Sequence, residues 1–232
     1  MIIPTDTPAP RFLLEHGKDL FPGLPIVFCA ADTEYVAGRS LPSNVTGVDA
    51  KRDFARTLEV MQTIDPDLRH VTLVVGAGSM DRAWEAYAQS ELQTHSSKVE
   101  FTWLRGLPLP ELTRAVGSLP PGSAVLYLVQ FADMYGTPYV PRAVAAAVSE
   151  AASAPVYGTW DTLIGSGITG GWLATMEEAS IVAGSIAARV LTGSAPSTIR
   201  PQPWPSHLRR QATRAVEDLR TTVARRQPRS LL

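Results

Sequence analysis

Cysteine, histidine and long apolar runs are all scarce in this sequence of 232 residues. The single cysteine, Cys29, excludes an internal disulfide framework and any zinc site built from cysteines. The four histidines lie far apart at no helical or hairpin spacing, so we expect no metal site. Because no stretch approaches the roughly 18–20 uninterrupted apolar residues that cross a bilayer, we expect no transmembrane segment.

The N-terminus and the overall charge also lack signals. Residues Met1 to Asp6 contain neither a basic region nor an apolar one, so we expect no signal peptide and a cytoplasmic chain if it is expressed as given. The net charge of −1 gives no argument for nucleic acid, and we expect no nucleic-acid partner. The charge is uneven along the chain, because eight arginines from Arg200 onward stand against Glu217 and Asp218 and residues 1–199 carry a net −7.

The chain alternates short β-branched runs with amphipathic stretches, which is typical of parallel sheets covered by helices. Runs such as Val71 to Val75 are apolar throughout, as expected of strands buried on both faces. The predicted strands are residues 2–3, 25–30, 45–48, 70–75, 99–104, 124–129, 155–157 and 168–174. The predicted helices are residues 9–20, 53–64, 81–92, 140–152 and 177–191.

The end of the chain has a different composition. Four prolines between Pro196 and Pro205 indicate an extended strap. Beyond it, apolar residues recur every three or four positions from Leu208 to Val223 among arginines, which predicts a basic amphipathic helix. Such a helix packs one stripe on the body of the protein, or contacts a partner or a membrane surface.

The run from Val75 to Asp81 resembles a dinucleotide-binding loop, because a strand leads through Gly76 and Gly78 into a helix. The third glycine of that motif is absent, and Asp81 would direct a carboxylate towards the pyrophosphate. Ser166, which has glycines directly on both sides, lacks the spacing of a nucleophile elbow. No arrangement of nucleophile, base and oxyanion hole is recognisable, so we do not expect an enzyme.

Polar or aromatic residues follow the carboxyl ends of five predicted strands. Ligands of open α/β sheets bind outside those ends, where loops and helix N-termini supply oriented donors. Aspartates just before helices are also common helix caps, so each residue alone is weak support and the coincidence carries the argument. The candidate residues are Thr5, Asp6, Asp32, Ser79, Asp81, Arg82, Phe131, Asp133, Trp160 and Asp161.

Four segments together resemble a bacterial family. They are Phe12 to Phe28, Asn44 to Val48, Ser79 to Ala86 and, the best match, Pro155 to Gly171. These segments are similar to ABC-transporter-type substrate-binding proteins, whose relatives also form the sensor domains of bacterial histidine kinases. The resemblance covers about residues 2–199.

The resemblance implies an α/β fold of the type I periplasmic-binding-protein class, with two parallel three-layer lobes joined by crossing strands. Residues 1–50 and 164–200 would form lobe one, residues 51–163 lobe two, and residues 201–232 the strap and basic helix. Members of the family carry about two more βα units before the strand that begins here at Met1, so we expect an N-terminally truncated, incomplete first lobe. The positions that fall where the family lines its cleft are Thr5, Asp6, Ser79, Asp81, Arg82, Phe131, Asp133, Trp160, Asp161 and Gly165.

The implied function is binding of a small molecule, without catalysis or cofactor, by closure of two lobes on the ligand. The implied partner is an ABC permease or a downstream kinase module, and the implied location is periplasmic or extracytoplasmic. An aromatic face such as Trp160 beside carboxylates would suit a cationic or polyhydroxylated ligand. Two alternatives stay open: a Rossmann-like nucleotide-dependent enzyme that uses Gly76 to Gly78, and a truncated remnant that binds nothing.

Overall fold

A computed structural model of the chain describes residues 1–51, 53–95 and 99–203. Helices and strands alternate along most of this length. The helices are α1 (Pro8–Leu20), α2 (Thr33–Ala37), α3 (Phe54–Ile64), α4 (Ser79–Leu92), α5 (Leu109–Val116), α6 (Pro141–Ala151) and α7 (Met176–Leu191). The strands are β1 (Ile26–Asp32), β2 (Val45–Ala50), β3 (His70–Val75), β4 (Glu100–Arg105), β5 (Ser123–Val129) and β6 (Val156–Tyr157).

The α/β class expected from the sequence is confirmed, since every pairing between these strands is parallel. The predicted strand at residues 168–174 is wrong, because only isolated bridge residues form there, Gly170, which pairs with Tyr157, and Ala174. Helices α2 and α5, which are only five and eight residues long, were not predicted from the sequence. Short helices carry too few apolar repeats for a helical period to show.

The described residues form two compact units. Unit 1 comprises residues 1–51 and 174–203, so it is assembled from both sides of the sequence. Unit 2 comprises residues 53–173 and is continuous apart from the short gap after residue 95. Each unit has its own parallel sheet.

The sheet of unit 1 is widened at both edges by short pieces of chain. Strands β1 and β2 form its centre, and residues Ile2 and Thr5 add bridges beside β1. On the other edge Gln202 pairs with Val48, where its N–H donates to the carbonyl of Gly47 at 2.9 Å. The segment around residue 202 therefore completes a sheet that was begun near residue 2.

The core of unit 1 lies on both faces of β1, all seven residues of which are buried. Leu13 of α1 packs with Ile26 and Phe28 on one face, and α7 also packs against β1. Ala30 lies at a bulge in β1 with φ of 60°, a left-handed conformation that costs a non-glycine residue about 1–2 kcal/mol. This strained position directly precedes the carboxyl end of the strand.

The sheet of unit 2 has the order β4-β3-β5-β6. Strands β3 and β5 occupy the centre and are almost completely buried, as their uninterrupted apolar runs predict. Helix α3 packs against α4, and α5 packs against α6. Right-handed crossovers from β3 to β4 and from β4 to β5 place the two pairs on opposite faces of the sheet.

The predicted basic helix at residues 208–223 and the end of the predicted strap lie outside the described residues. Within the described part of the chain, no helix combines the length and the apolar character that crossing a membrane requires. The described residues also contain no group of three or more metal-ligating side chains close enough to hold an ion.

Candidate functional site

The carboxyl ends of β3, β4, β5 and β6 meet at one edge of the sheet of unit 2. The chain leaves β3 towards β4 on one side, and β5 lies on the other side of β3. Such a reversal of strand order separates the loops that follow the two neighbouring strands and opens a crevice at the carboxyl edge. The candidate site of unit 2 is built from those loops.

Asp81 joins the loop after β3 to the loop after β5. Its side chain is fully buried, and its Oδ2 accepts hydrogen bonds from the N–H groups of Gly78 at 2.8 Å and Ala132 at 3.2 Å. Its Oδ1 accepts a third bond, from the N–H of Phe131 at 2.9 Å. The carboxylate thus fixes two loops that are about fifty residues apart in the sequence.

The two glycines before α4 make room for this carboxylate. A Cβ atom on Gly76 would lie 2.4 Å from Oδ2 of Asp81, and one on Gly78 would lie 2.9 Å from the same atom. Neither contact is possible without displacement of the loop or of the carboxylate. The glycines that suggest a dinucleotide loop therefore accommodate an internal carboxylate, which competes for the donors that a pyrophosphate would need.

A second buried carboxylate, Asp133, organises the loop after β5. Its Oδ1 accepts hydrogen bonds from the N–H groups of Tyr135 and Thr137, both at 2.9 Å, and its Oδ2 accepts one from the hydroxyl of Tyr139 at 3.0 Å. Burial raises the pKa of the Asp133 carboxyl, but the hydrogen bonds from Thr137, Tyr139 and Tyr135 outweigh it and hold the pKa below its ordinary value.

This shift makes the stability of unit 2 depend on pH. Because the pKa of Asp133 is lower in the folded chain than in the unfolded chain, its stabilising effect is present above the ordinary pKa of about 4. The effect is lost as the pH falls through the folded-state pKa. We therefore expect Asp133→Asn to be less stable than wild type at pH 7, and the difference to shrink below about pH 4. Urea unfolding at pH 7, 5, 4 and 3 measures it, and a difference that stays constant with pH would contradict it.

Several side chains at this edge reach solvent. Ser79, the first residue of α4, is exposed, and so is Arg82, whose guanidinium donates to the carbonyl of Ala77. On the loop after β5, Phe131 is 37% exposed. The same loop exposes two side chains that the sequence reading missed, Met134 at 54% and Tyr135 at 77%. We call the exposed set Ser79, Arg82, Phe131, Met134 and Tyr135 the unit 2 rim.

The residues after β6 divide into buried and exposed ones. Trp160 is only 9% exposed and stacks on Trp84 of α4, with ring centroids 6.4 Å apart. Asp161 is half-buried and begins a short 3-10 turn. Gly165 is exposed with φ of 81°, and a Cβ on it would meet the guanidinium of Arg142 at 3.2 Å. Much of the Trp160 ring therefore packs inside unit 2.

Thr5 and Asp6 lie in unit 1, at the carboxyl end of β1. Thr5 is exposed and bridges Cys29, and the N–H of Asp6 donates to the carbonyl of Cys29 at 2.9 Å. Asp6 has φ of 59°, and its Oδ1 accepts a bond from the N–H of Thr7 at 2.8 Å. Elsewhere in unit 1, burial raises the pKa of the Asp49 carboxyl near the end of β2, although a hydrogen bond that it accepts from Thr33 lowers the pKa in part.

The structure therefore brings the candidate residues together in two groups. Those of unit 2 share the carboxyl edge of the sheet β4-β3-β5-β6, and those of unit 1 share the carboxyl edge of β1. Each group lies at the carboxyl ends of parallel strands, where α/β proteins bind small molecules. The fold and the loops are therefore those of a small-molecule-binding α/β protein.

The family model of the ABC transporter substrate binding proteins matches residues 1–207, so the chain belongs to that family. The resemblance stated from the sequence is thereby confirmed, and the protein is a ligand-binding protein. Members of the family are generally non-enzymatic and typically periplasmic or extracytoplasmic.

Solved structures share the fold at low sequence identity. An ABC domain in complex with L-Trp from Streptococcus pneumonia is 13% identical, with a TM-score of 0.64 over 92% of this chain and 73% of that one. A ligand-free, open substrate-binding protein with adhesive properties from Clostridium difficile is 15% identical, with a TM-score of 0.63 over 93% and 73% of the two chains. A conserved domain protein from Vibrio cholerae is 16% identical, with a TM-score of 0.63 over 93% and 75%. No curated protein matches the chain in sequence.

Proposed function

We propose that this protein binds a small molecule at the carboxyl edges of its sheets and presents it to a membrane partner. The unit 2 rim is the observation that carries the proposal. It combines the N-terminus of a 14-residue helix, a hydroxyl, a guanidinium and two aromatic rings at the place where strand order reverses. Convergent donors beside apolar surface are what a small-molecule site needs.

The proposed working cycle is closure of two lobes, formed by unit 1 and unit 2, on the ligand. Thr5 and Asp6 would contribute from unit 1, and Asp161 and Gly165 would join the rim from unit 2. A ligand that contacts both lobes binds the closed state more tightly and shifts the population towards it. In this cycle Asp81 and Asp133 position the loops, because their oxygens already accept bonds from the protein itself.

The proposed location of the protein is outside the cytoplasm, and its proposed partner is an ABC permease in the membrane. Membership of the family supports both proposals. The alternative partner is a downstream kinase module. In that case the protein would have the same binding function but would serve as the sensor of a histidine kinase. We propose that the protein catalyses no reaction, since the rim supplies groups for contact and no recognisable nucleophile and base. The dinucleotide alternative is disfavoured because the Asp81 carboxylate takes the N–H of Gly78.

Ligand-dependent thermal stabilisation tests the proposal. The purified chain would be melted with amino acids, nucleosides, aromatic acids and sugars, including L-tryptophan because a similar structure holds it. A ligand present at a hundred times its Kd stabilises the folded state by about 2.7 kcal/mol, which raises Tm by roughly 5–10 °C for a chain of this size. If a well-folded sample shows no shift with any class, the proposal fails and the remnant alternative stands.

Two serines of α4 provide a matched pair of variants. Ser79 begins the helix at the carboxyl edge of the sheet, and Ser90 is exposed near its other end. We expect Ser79→Ala to reduce the ligand-induced shift in Tm and Ser90→Ala to leave it unchanged. Equal effects of both changes would place the ligand elsewhere on the chain.

A further inference from the structure

Arg142 lies in the first turn of α6, where its positive charge is unfavourable for the helix. The backbone N–H groups at the N-terminus of a helix carry partial positive charge, so acidic residues are preferred there. Helix α6 has no acidic residue in its first turn, and Arg142 is its second residue. The side chain therefore stabilises something other than its own helix.

The guanidinium of Arg142 contacts the turn that follows β6. Its Nη1 atom donates a hydrogen bond to the carbonyl of Ile164 at 2.8 Å and another to the carbonyl of Thr162. These carbonyls lie at the end of the 3-10 turn Asp161–Leu163, where acceptors lack partners within a helical turn. Hydrogen bonds from a charged donor are stronger than those from a neutral one. Arg142 thus caps residues 161–165, which we call the β6 turn.

The β6 turn leaves room for this guanidinium at Gly165. That residue has φ of 81°, and a Cβ on it would lie 3.2 Å from Nη2 of Arg142. Gly167 follows with φ of 89°. Glycine has the widest choice of backbone conformations, so a segment that contains two of them loses much entropy when it is ordered. The β6 turn therefore depends on contacts from outside its own backbone to keep one conformation.

Both sides of the contact are anchored in unit 2. On the side of α6, the carbonyl of Pro141 accepts a hydrogen bond at 2.8 Å from the hydroxyl of Tyr127, a fully buried residue of β5. On the other side, Leu163 is buried and fixes the inner part of the β6 turn. Loss of the Arg142 contact would consequently loosen the exposed part of the turn without unfolding the unit.

We propose that Arg142 is a positioning residue of the ligand site, which holds the β6 turn, and with it Asp161 and Gly165, in the conformation that binds. The inference rests on the proposed function and adds to it a residue that acts without touching the ligand. Less conformational entropy is lost when a ligand meets a loop that is already ordered. If only a fraction of the molecules has the competent conformation, the apparent affinity falls by that fraction.

Hydrogen–deuterium exchange of the ligand-free protein tests whether Arg142 holds the turn. The N–H groups of Ile164 and Ser166 donate within the segment at 2.9 and 3.1 Å and report on its opening. In Arg142→Met we expect peptides that cover the β6 turn to exchange about tenfold faster than in wild type, and peptides of β5 to exchange at an unchanged rate. Arg142→Lys keeps a charged donor and is expected to lie between the two. The matched control is Arg114→Met, which removes an exposed arginine from α5 and is expected to behave as wild type.

Titration calorimetry tests whether the held turn favours binding. The probe is L-tryptophan or, if that does not bind, the compound that raises the Tm of wild type most in the thermal melts. We expect Arg142→Met to raise Kd about three- to tenfold and Arg114→Met to leave it unchanged. Saturation of Arg142→Met with the same compound is expected to return the exchange of the β6 turn to the wild-type rate, because the bound compound then holds the turn. A contact that served the fold alone would show no such coupling.

The outcomes separate this role from the proposed function. If the β6 turn exchanges equally fast in Arg142→Met and wild type, if Kd is unchanged, or if saturation leaves the turn fast, the positioning role is overturned and the proposed function stands. Weaker binding without faster exchange would instead mean that Arg142 contacts the bound compound. Should Arg142→Met fail to fold, Arg142→Lys carries both measurements. If no compound binds wild type, both proposals fail.

Discussion

An alanine in place of Asp81 is expected to lower the free energy of unfolding of unit 2 by about 3–5 kcal/mol. The change removes both oxygens that accept bonds from Gly78, Phe131 and Ala132. These three N–H groups, which are part-buried, would then lack their partner, and a buried unpaired donor costs about 1–3 kcal/mol. Asparagine is expected to recover only part of the loss, since its amide oxygen can take the place of one carboxylate oxygen while its NH₂ would face a backbone N–H.

Urea unfolding followed by circular dichroism measures the effect, with Asp67→Ala as the matched control. Asp67 is exposed in the loop before β3, and its replacement is expected to change the free energy of unfolding by less than about 0.5 kcal/mol. An average substitution lowers the free energy of unfolding by about 1 kcal/mol. A smaller loss for Asp81→Ala would contradict the conclusion that this carboxylate fixes the two loops. The loops at the rim would then be held by other contacts.

Replacement of Gly171 by alanine is expected to destabilise unit 2 by about 4 kcal/mol or more. Gly171 has φ of 150°, and a Cβ on it would lie 1.9 Å from the carbonyl oxygen of Gly158. Because that oxygen belongs to the backbone, relief requires the two segments to separate. Separation would weaken the bond from the N–H of Gly158 to the carbonyl of Gly170 at 2.9 Å. It would also weaken the bond from the N–H of Trp172 to Oγ1 of Thr57 at 3.1 Å.

A second glycine supplies a control of opposite sign. Gly184 lies inside α7, and a Cβ on it would meet no atom within 4 Å. Gly184→Ala is therefore expected to stabilise the chain by about 0.5–1 kcal/mol, through the lower helix propensity of glycine. Thermal melts of the two variants beside wild type are expected to move in opposite directions. A normal Tm for Gly171→Ala would show that the contact with Gly158 relaxes easily.

The central strands of unit 2 could be predicted from the sequence for a simple reason. Strands β3 and β5 are buried on both faces, so the residues at both parities are apolar and the pattern stands out. The segment at residues 168–174 also reads as a strand, yet Gly170 and Gly171 have φ values of 147° and 150° that ordinary strand residues avoid. Here the close approach of Gly171 to Gly158 determines the backbone conformation. Such a contact belongs to the tertiary structure, so the local sequence does not show it.

The location of the candidate site could be predicted from the sequence, but the orientation and the partners of its side chains could not. The rule that ligands bind at strand carboxyl ends pointed to the loops after β3 and β5. It could not distinguish Asp81, which is turned inward, from Ser79, which is exposed two residues earlier. The partners of Asp81 include Phe131 and Ala132, and no local pattern announces a hydrogen bond across about fifty residues. The same holds for Trp160, which follows β6 and stacks on Trp84 of α4.

The interleaving of the two units has a consequence for biosynthesis. A ribosome releases the chain from its amino end, so the described residues of unit 2, 53–173, emerge before α7 and Gln202, which complete the described part of unit 1. Until then β2 lacks the backbone partner that Gln202 gives to Gly47 and Asp49. Domains usually mature in the order of synthesis, whereas here the unit that is begun first must be finished last. Strand β2 of unit 1 therefore keeps one open edge until the last part of that unit has been synthesised.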